Sequence, residues 1–187
     1  HDVTLTVADG FGGIASSTTR VFVHDTTPPV LTLPPNVMAD AISPAGAPVT
    51  YLASASDIAD PTPSVACTPP SGSVFSIGTT AVTCTAADDS GNSSRGTFNV
   101  HVRGAVDQVL ALIDKTLSMV NQPEVKSALK ARLGEALEML MAKRPSAACR
   151  ALNTYIAVVS RANTLTPALR AELISDATRI KAVIGCR

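Results

Sequence analysis

Asp25-Thr26-Thr27-Pro28-Pro29 decides how this chain is organised, because it is a joint. Two consecutive prolines remove two backbone donors and hold the chain extended, so no strand continues through them. Before the joint, segments 3–7 and 18–23 alternate apolar and polar residues on either side of Ala8-Asp9-Gly10-Phe11-Gly12-Gly13, a pattern that predicts a hairpin. After it a new series of short alternating segments begins. A stiff, short spacer between β-modules points to a protein whose work is reach and spacing.

Composition divides the 187 residues into two parts. Residues 1–103 carry eight Asp and three Arg with no Glu and no Lys, a formal balance of −5; residues 104–187 balance to +5. The first part is rich in Thr, Val, Pro, Ser and Gly, which favour strands and turns. The second is rich in Ala, Leu, Lys, Arg and Glu, which favour helix. These shifts predict folded units joined near Arg103-Gly104. No apolar run reaches the roughly 18–20 residues that span a bilayer.

The four cysteines, Cys67, Cys84, Cys149 and Cys186, fall two per unit, as two intradomain disulfides require. Thiols that bind metal usually come as close pairs, which these are not. Disulfides, rather than free thiols, imply an oxidising, extracytoplasmic setting.

From Val30 onward, segments 30–33, 37–41, 49–53, 64–67, 73–75, 81–86 and 97–102 read as short strands. Clusters rich in Pro, Gly, Ser and Asp separate them, which predicts an antiparallel sandwich. The two-residue period puts Val82 and Cys84 on one face of their strand, and Phe98, Val100 and Val102 on one face of theirs. These residues are the expected core.

Several spaced elements of this region occur together: Asp25-Thr-Thr-Pro-Pro29, Cys67-Thr-Pro-Pro-Ser-Gly-Ser-Val-Phe75, Gly78-Thr-Thr-Ala-Val-Thr-Cys84-Thr-Ala86 and Asp88-Asp-Ser-Gly-Asn92. In this combination residues 25–103 resemble the HYR (hyalin repeat) module. The resemblance implies an Ig-like, extracellular fold linked to adhesion, with Cys67 and Cys84 paired. Residues 1–24 resemble the final hairpin of a preceding cadherin-like or PKD-like module. Two strands are marginal on their own, so further Ig-like modules, and any targeting signal, are expected upstream.

The acidic residues of this region are grouped. Asp57 and Asp60 lie in one inter-strand loop, Asp88 and Asp89 in the loop before the last strand, and Asp25 at the entry. Ig connectivity brings entry and loops to one pole, against the preceding module. Calcium takes six to eight oxygen ligands, which carboxylates and loop carbonyls supply. One reading of the five Asp is a Ca²⁺ that stiffens the joint; the other is turn capping, a common role of Asp. The spacing fits no EF-hand loop, and both readings stay open.

Apolar spacing predicts four helices, over 105–120, 123–142, 145–162 and 167–184, hence an all-α four-helix bundle at 104–187, separate from the sandwich. The first carries Val106, Val109, Leu110, Ile113, Leu117 and Val120 as its stripe. Pro123, Pro145 and Pro167 stand at first-turn positions, Thr166 at an N-cap and Gly185 at a stop. Short connections make neighbours antiparallel. The start of the third helix then lies near the end of the fourth, which makes a Cys149–Cys186 staple sensible if the tail after Gly185 curls back. The runs Cys149-Arg-Ala-Leu-Asn-Thr-Tyr-Ile-Ala-Val-Val159 and Leu165-Thr-Pro-Ala-Leu-Arg-Ala-Glu-Leu-Ile174, followed by Ile180 to Cys186, resemble the bacterial C-terminal helical module FIMAH. That resemblance implies no reaction.

Enzyme signatures are missing. His1, His24 and His101 lack ligand-spaced His, Cys or Glu neighbours, and no GxSxG, Gly-rich phosphate loop or HExxH occurs. Glu135 and Glu138 sit one helical turn apart on a polar face, as a solvated pair does. Lys126, Lys130, Arg132, Lys143, Arg144, Arg150, Arg161, Arg170, Arg179 and Lys181 could face an anionic surface polymer or glycan, but an ordinary solvated surface explains them more simply. No motif supports nucleic-acid binding. The chain reads as a non-catalytic extracytoplasmic spacer or adhesion segment. The competing readings are an accessory region of a secreted hydrolase and a carbohydrate- or cell-surface-binding module.

Overall fold

The computed structural model describes residues 2–186: a β-rich region followed by four helices. β1 (Asp2–Ala8) and β2 (Ile14–Arg20) form a hairpin in register from Asp2 opposite Arg20 to Ala8 opposite Ile14. The expected second strand, 18–23, therefore begins four residues earlier. The loop sets this register: Asp9 Oδ1 accepts from the N–H groups of Phe11 (2.8 Å) and Gly13 (2.9 Å), so the ladder opens at Ile14.

Beyond the joint come β3 (Val30–Thr32), β4 (Val37–Asp40), β5 (Ala47–Pro48), β6 (Ser54–Ser56), β7 (Ser64–Thr68), β8 (Val74–Phe75), β9 (Gly78–Ala87) and β10 (Ser93–Arg103). A four-stranded sheet has the order β4-β10-β9-β7, with β4 parallel to β10 and the other pairs antiparallel. Two short ladders, β3–β6 and β5–β8, face it across one core. Val82, Cys84, Phe98, Val100 and Val102 are all buried there, as the two-residue period predicts. Leu31, Ala47, Val49 and Phe75 meet them from the opposite layer.

The expected strand at 49–53 is instead a crossing. Val49 bonds through its N–H to Ser73 O (3.1 Å) and through its C=O to Gly72 N–H (2.8 Å), which prolongs the β5–β8 pairing. At Tyr51 the Ser71 hydroxyl takes over, accepting from Tyr51 N–H (2.9 Å) and donating to Tyr51 O (2.8 Å). Three residues on, at Ser54, β6 begins its pairing with β3. One run of chain thus serves two ladders, and side-chain bonds fill the interval. Cys67 and Cys84 stand directly opposite on β7 and β9, bonded, with Cα atoms 4.0 Å apart.

α1 (Ala105–Met119), α2 (Pro123–Met141), α3 (Pro145–Arg161) and α4 (Pro167–Ile184) follow, the last three with Pro in the first turn. Each helix packs on its chain neighbour, and α1 also packs on α4. Thr166 Oγ1 accepts from Leu169 N–H (3.2 Å), and Gly185 ends α4 in the left-handed region at φ 81°. Cys186 N–H then reaches back to Lys181 O (3.0 Å), a Schellman-type reversal. The tail turns as the staple requires: Cys149 and Cys186 are bonded, Cα atoms 5.8 Å apart.

α1 buries part of the expected stripe, Val109 and Val120 fully and Ile113 against the core, but its buried face is turned from the rest. Val106 and Leu110 are exposed, whereas Gln108, Val109, Leu112 and Thr116 are buried. Burial of the polar pair is supported by hydrogen bonds. Thr116 Oγ1 donates to Leu112 O (2.7 Å) and lies 3.2 Å from the Tyr155 hydroxyl. Burial pushes the Tyr155 hydroxyl up to about 12. Gln108 is bonded across to the β region, so the helices are docked on it rather than simply following in tandem.

The Cys149–Cys186 bond closes a separation of 37 residues, which the chain-entropy model values at about 4 kcal/mol. Replacing both cysteines with Ser should lower the stability of the helices by that order in chemical denaturation followed by helical circular dichroism. A change below about 1 kcal/mol would show that the staple constrains little.

Candidate metal centre

Three loops meet where the chain enters the β region. Carboxylate oxygens of Asp25, Asp57 and Asp88 all lie within 4.8 Å of one another. Ligand oxygens sit about 2.3–2.6 Å from Ca²⁺, so two of them can be up to about 5 Å apart and still share one ion. The donor set is entirely hard oxygen, the chemistry of such a cation.

Each carboxylate is held by its own loop. Asp25 Oδ1 accepts from Thr27 N–H (3.0 Å). Asp57 Oδ1 accepts from the N–H groups of Ala59 (2.8 Å) and Asp60 (3.0 Å). Asp88 Oδ1 accepts from Asn92 N–H (2.8 Å), and its Oδ2 from the Asn92 side-chain amide (2.9 Å). These are the Asx turns expected of Asp in turns. Capping and ligation are therefore compatible, since capping uses only Oδ1 of Asp25 and Asp57, and each Asp88 oxygen, though bonded to Asn92, has a second lone pair. Asp25 Oδ2 is buried with no hydrogen-bond partner.

Asp60 and Asp89 stand beside this group rather than in it. Asp60 is buried, and its oxygens accept from Thr62 N–H (2.8 Å) and Asp89 N–H (3.1 Å), which ties the two loops together. Asp89 takes part through its backbone and is exposed. Asn92 was not among the candidate residues of the sequence, yet it organises the site. Its amide also donates to Asp25 O (3.2 Å), linking the entry segment to the β9–β10 turn. The sequence signal was the Asp88-to-Asn92 turn itself.

Charge at this pole is uncompensated. Among the described residues no Lys, Arg or His forms an ion pair with Asp25, Asp57 or Asp88. Arg20 and Arg103, two of the three cationic side chains before residue 104, are paired with Asp2 and Asp40. Burial pushes the Asp88 carboxyl up, but bonds from the Asn92 side chain and from the N–H groups of Asn92, Ser90 and Gly91 outweigh it. The net effect holds Asp88 below the usual carboxylate range.

Residues 24–102 match the HYR domain family. The match covers the whole β region after the hairpin, including all five acidic candidates and the Cys67–Cys84 bond, and it ends where β10 gives way to α1. No curated protein matches the chain.

The remaining candidates lie elsewhere. His24 is exposed, His101 Nδ1 lies 2.9 Å from Thr79 Oγ1, and His1 lies outside the described residues. Arg132 pairs with Glu135 (3.1 Å) on an exposed face. Arg179 does not belong to a solvated basic face; it is bonded to Gln108 and Asp40 where the helices meet the β region. No helix among the described residues is long and apolar enough to cross a membrane.

Because Asp88 is depressed in the folded state, its stabilisation is complete above the ordinary carboxylate value of about 4 and is lost as pH falls through the lower folded value. Metal-free unfolding measured from pH 6 to pH 2 should show the wild type losing stability below about pH 4, with Asp88→Asn losing less over the same range. Parallel curves would remove Asp88 from the account.

Proposed function

We propose that this chain is a non-catalytic, extracytoplasmic spacer of the adhesion type. In this reading residues 25–103 are an HYR-type Ig-like sandwich, and residues 104–187 a FIMAH-like four-helix module. A Ca²⁺ held by Asp25, Asp57 and Asp88 stiffens the joint with the preceding hairpin. The observation that carries the reading is the meeting of these three carboxylates at the point where one module hands the chain to the next.

Other features support it. The HYR family is an extracellular, non-enzymatic repeat family, and residues 24–102 match it. Two disulfides suit an oxidising compartment. In the opening hairpin Val3, Leu5 and Val7 stand opposite Thr19, Ser17 and Ala15, and every one of these residues is exposed. The other face carries the Asp2–Arg20 ion pair and the Thr4–Thr18 hydroxyl contact. A hairpin with one apolar and one polar face is half of a packed layer. Further strands of an Ig-like module upstream in the same chain would cover Val3, Leu5 and Val7.

Extracellular modules hold Ca²⁺ with dissociation constants of about 10⁻⁴–10⁻³ M. At about 10 mM Ca²⁺ that affinity adds roughly 1.4–2.7 kcal/mol to the folded state. Calcium should therefore raise the melting temperature of the β region by roughly 5 °C or more relative to EDTA. Asp88→Ala should abolish the response, and Asp89→Ala should leave it intact. Identical melting in calcium and EDTA would reject the site.

A further inference from the structure

At the opposite end of β10 from the carboxylates, the β region and the helices meet in a polar seam. Only Gly104 separates β10 from α1, and its N–H is bonded to Asp107 Oδ2 (3.2 Å). A one-residue connection limits separation but does not by itself prevent swivelling. Side chains from four elements do that. The Gln108 amide of α1, 2% exposed, donates to Ala41 O and Arg103 O (both 3.0 Å) and accepts from Arg179 Nε of α4 (3.0 Å). Asp40 of β4 takes Arg103 Nε on one oxygen (2.7 Å) and Arg179 Nη2 on the other (3.1 Å). Asp176 of α4 continues the chain, bonding Arg179 (3.3 Å) and Lys115 of α1 (2.7 Å).

The groups are balanced in charge and partly buried. Arg103, Arg179 and Lys115 face Asp40, Asp176 and Glu172, and all but Glu172 line a cleft of about 250 Å³. Asp40 and Asp176 side chains are 21% and 17% exposed, so salt screens these pairs less than it screens surface pairs. Beside the polar groups, Val183 near the end of α4 is buried in the β-region core, and Ala105 touches both cores. Pulling α4 away would leave the buried Gln108 amide oxygen and an apolar socket without partners and Asp40 with Arg103 alone, each of which is costly.

We propose that this seam is a clasp that locks the β region to α1 and α4 as one rigid body. Gln108 is its positioning residue, and Asp40 is the group both arginines grip. The clasp is independent of the carboxylate group at the other end of the sheet.

The test is ¹⁵N relaxation and thermal unfolding of the oxidised full chain in EDTA, which excludes any calcium effect. In the wild type, amides of β9 and β10 and amides of the four helices should report one common rotational diffusion and coincident unfolding. The double variant Asp40→Asn, Gln108→Leu should tumble as two bodies, with unfolding midpoints separated by roughly 4 °C or more. If that variant fails to give a dispersed spectrum, Arg179→Ala, whose side chain is 35% exposed, should produce the same decoupling. Independent tumbling of the wild type, or a single body in the variants that fold, would overturn the proposal.

Discussion

The ladder between β9 and β10 is the constraint on which the rest depends. It runs unbroken from Ser93 opposite Ala87 to Val102 opposite Gly78. At about 3.4 Å per residue this makes a beam roughly 30 Å long. β4 and β7 pair on its two flanks, and Phe98, Val100 and Val102 form the floor of the core. The turn at one end supplies Asp88 and Asn92 to the entry joint. The other end passes through Gly104 into α1. The two junctions lie at opposite ends of one beam, joined by hydrogen-bonded backbone rather than by a linker.

Charge follows this geometry. The acidic surplus of the first 103 residues is not spread evenly. Asp25, Asp57 and Asp88 gather at the entry and, among the described residues, form no ion pair, while Asp40 meets Arg103 and Arg179 at the seam. Like charges held together favour a cation from solution, and opposite charges at the seam need none. The same residue type thus meets two surroundings, set by what the fold brings near it. Asp60 meets a third, since its oxygens are used by the backbone N–H groups of Thr62 and Asp89.

The covalent staples divide the work differently. Cys67–Cys84 joins two strands already paired, directly across the ladder, and so reinforces one sheet. Cys149–Cys186 ties the start of α3 to the tail beyond α4, a tail that Gly185 has to reverse. Neither bond crosses the seam. Contact between the β region and the helices is non-covalent apart from the chain itself, and it rests on Gln108, Asp40, Arg179 and Val183.

What the sequence determined by itself was whatever short-range physics decides. Proline in the first turn set the starts of α2, α3 and α4, the two-residue period set the buried faces of β9 and β10, and the double proline separated the hairpin from the sheet. The acidic pole was legible as a set of loops, but not as the three carboxylates that come within 4.8 Å, because distance between loops is a property of the packed layers. Tertiary structure alone decided the crossing at 49–53, whose bonds come from Ser71, Gly72 and Ser73, and the face that α1 buries. Hydrophobicity ranks Val106 and Leu110 above Gln108 and Thr116. A polar side chain is buried in their place when partners wait for it, and those partners, Ala41, Arg103, Arg179 and Tyr155, lie on other elements that sequence spacing does not reach.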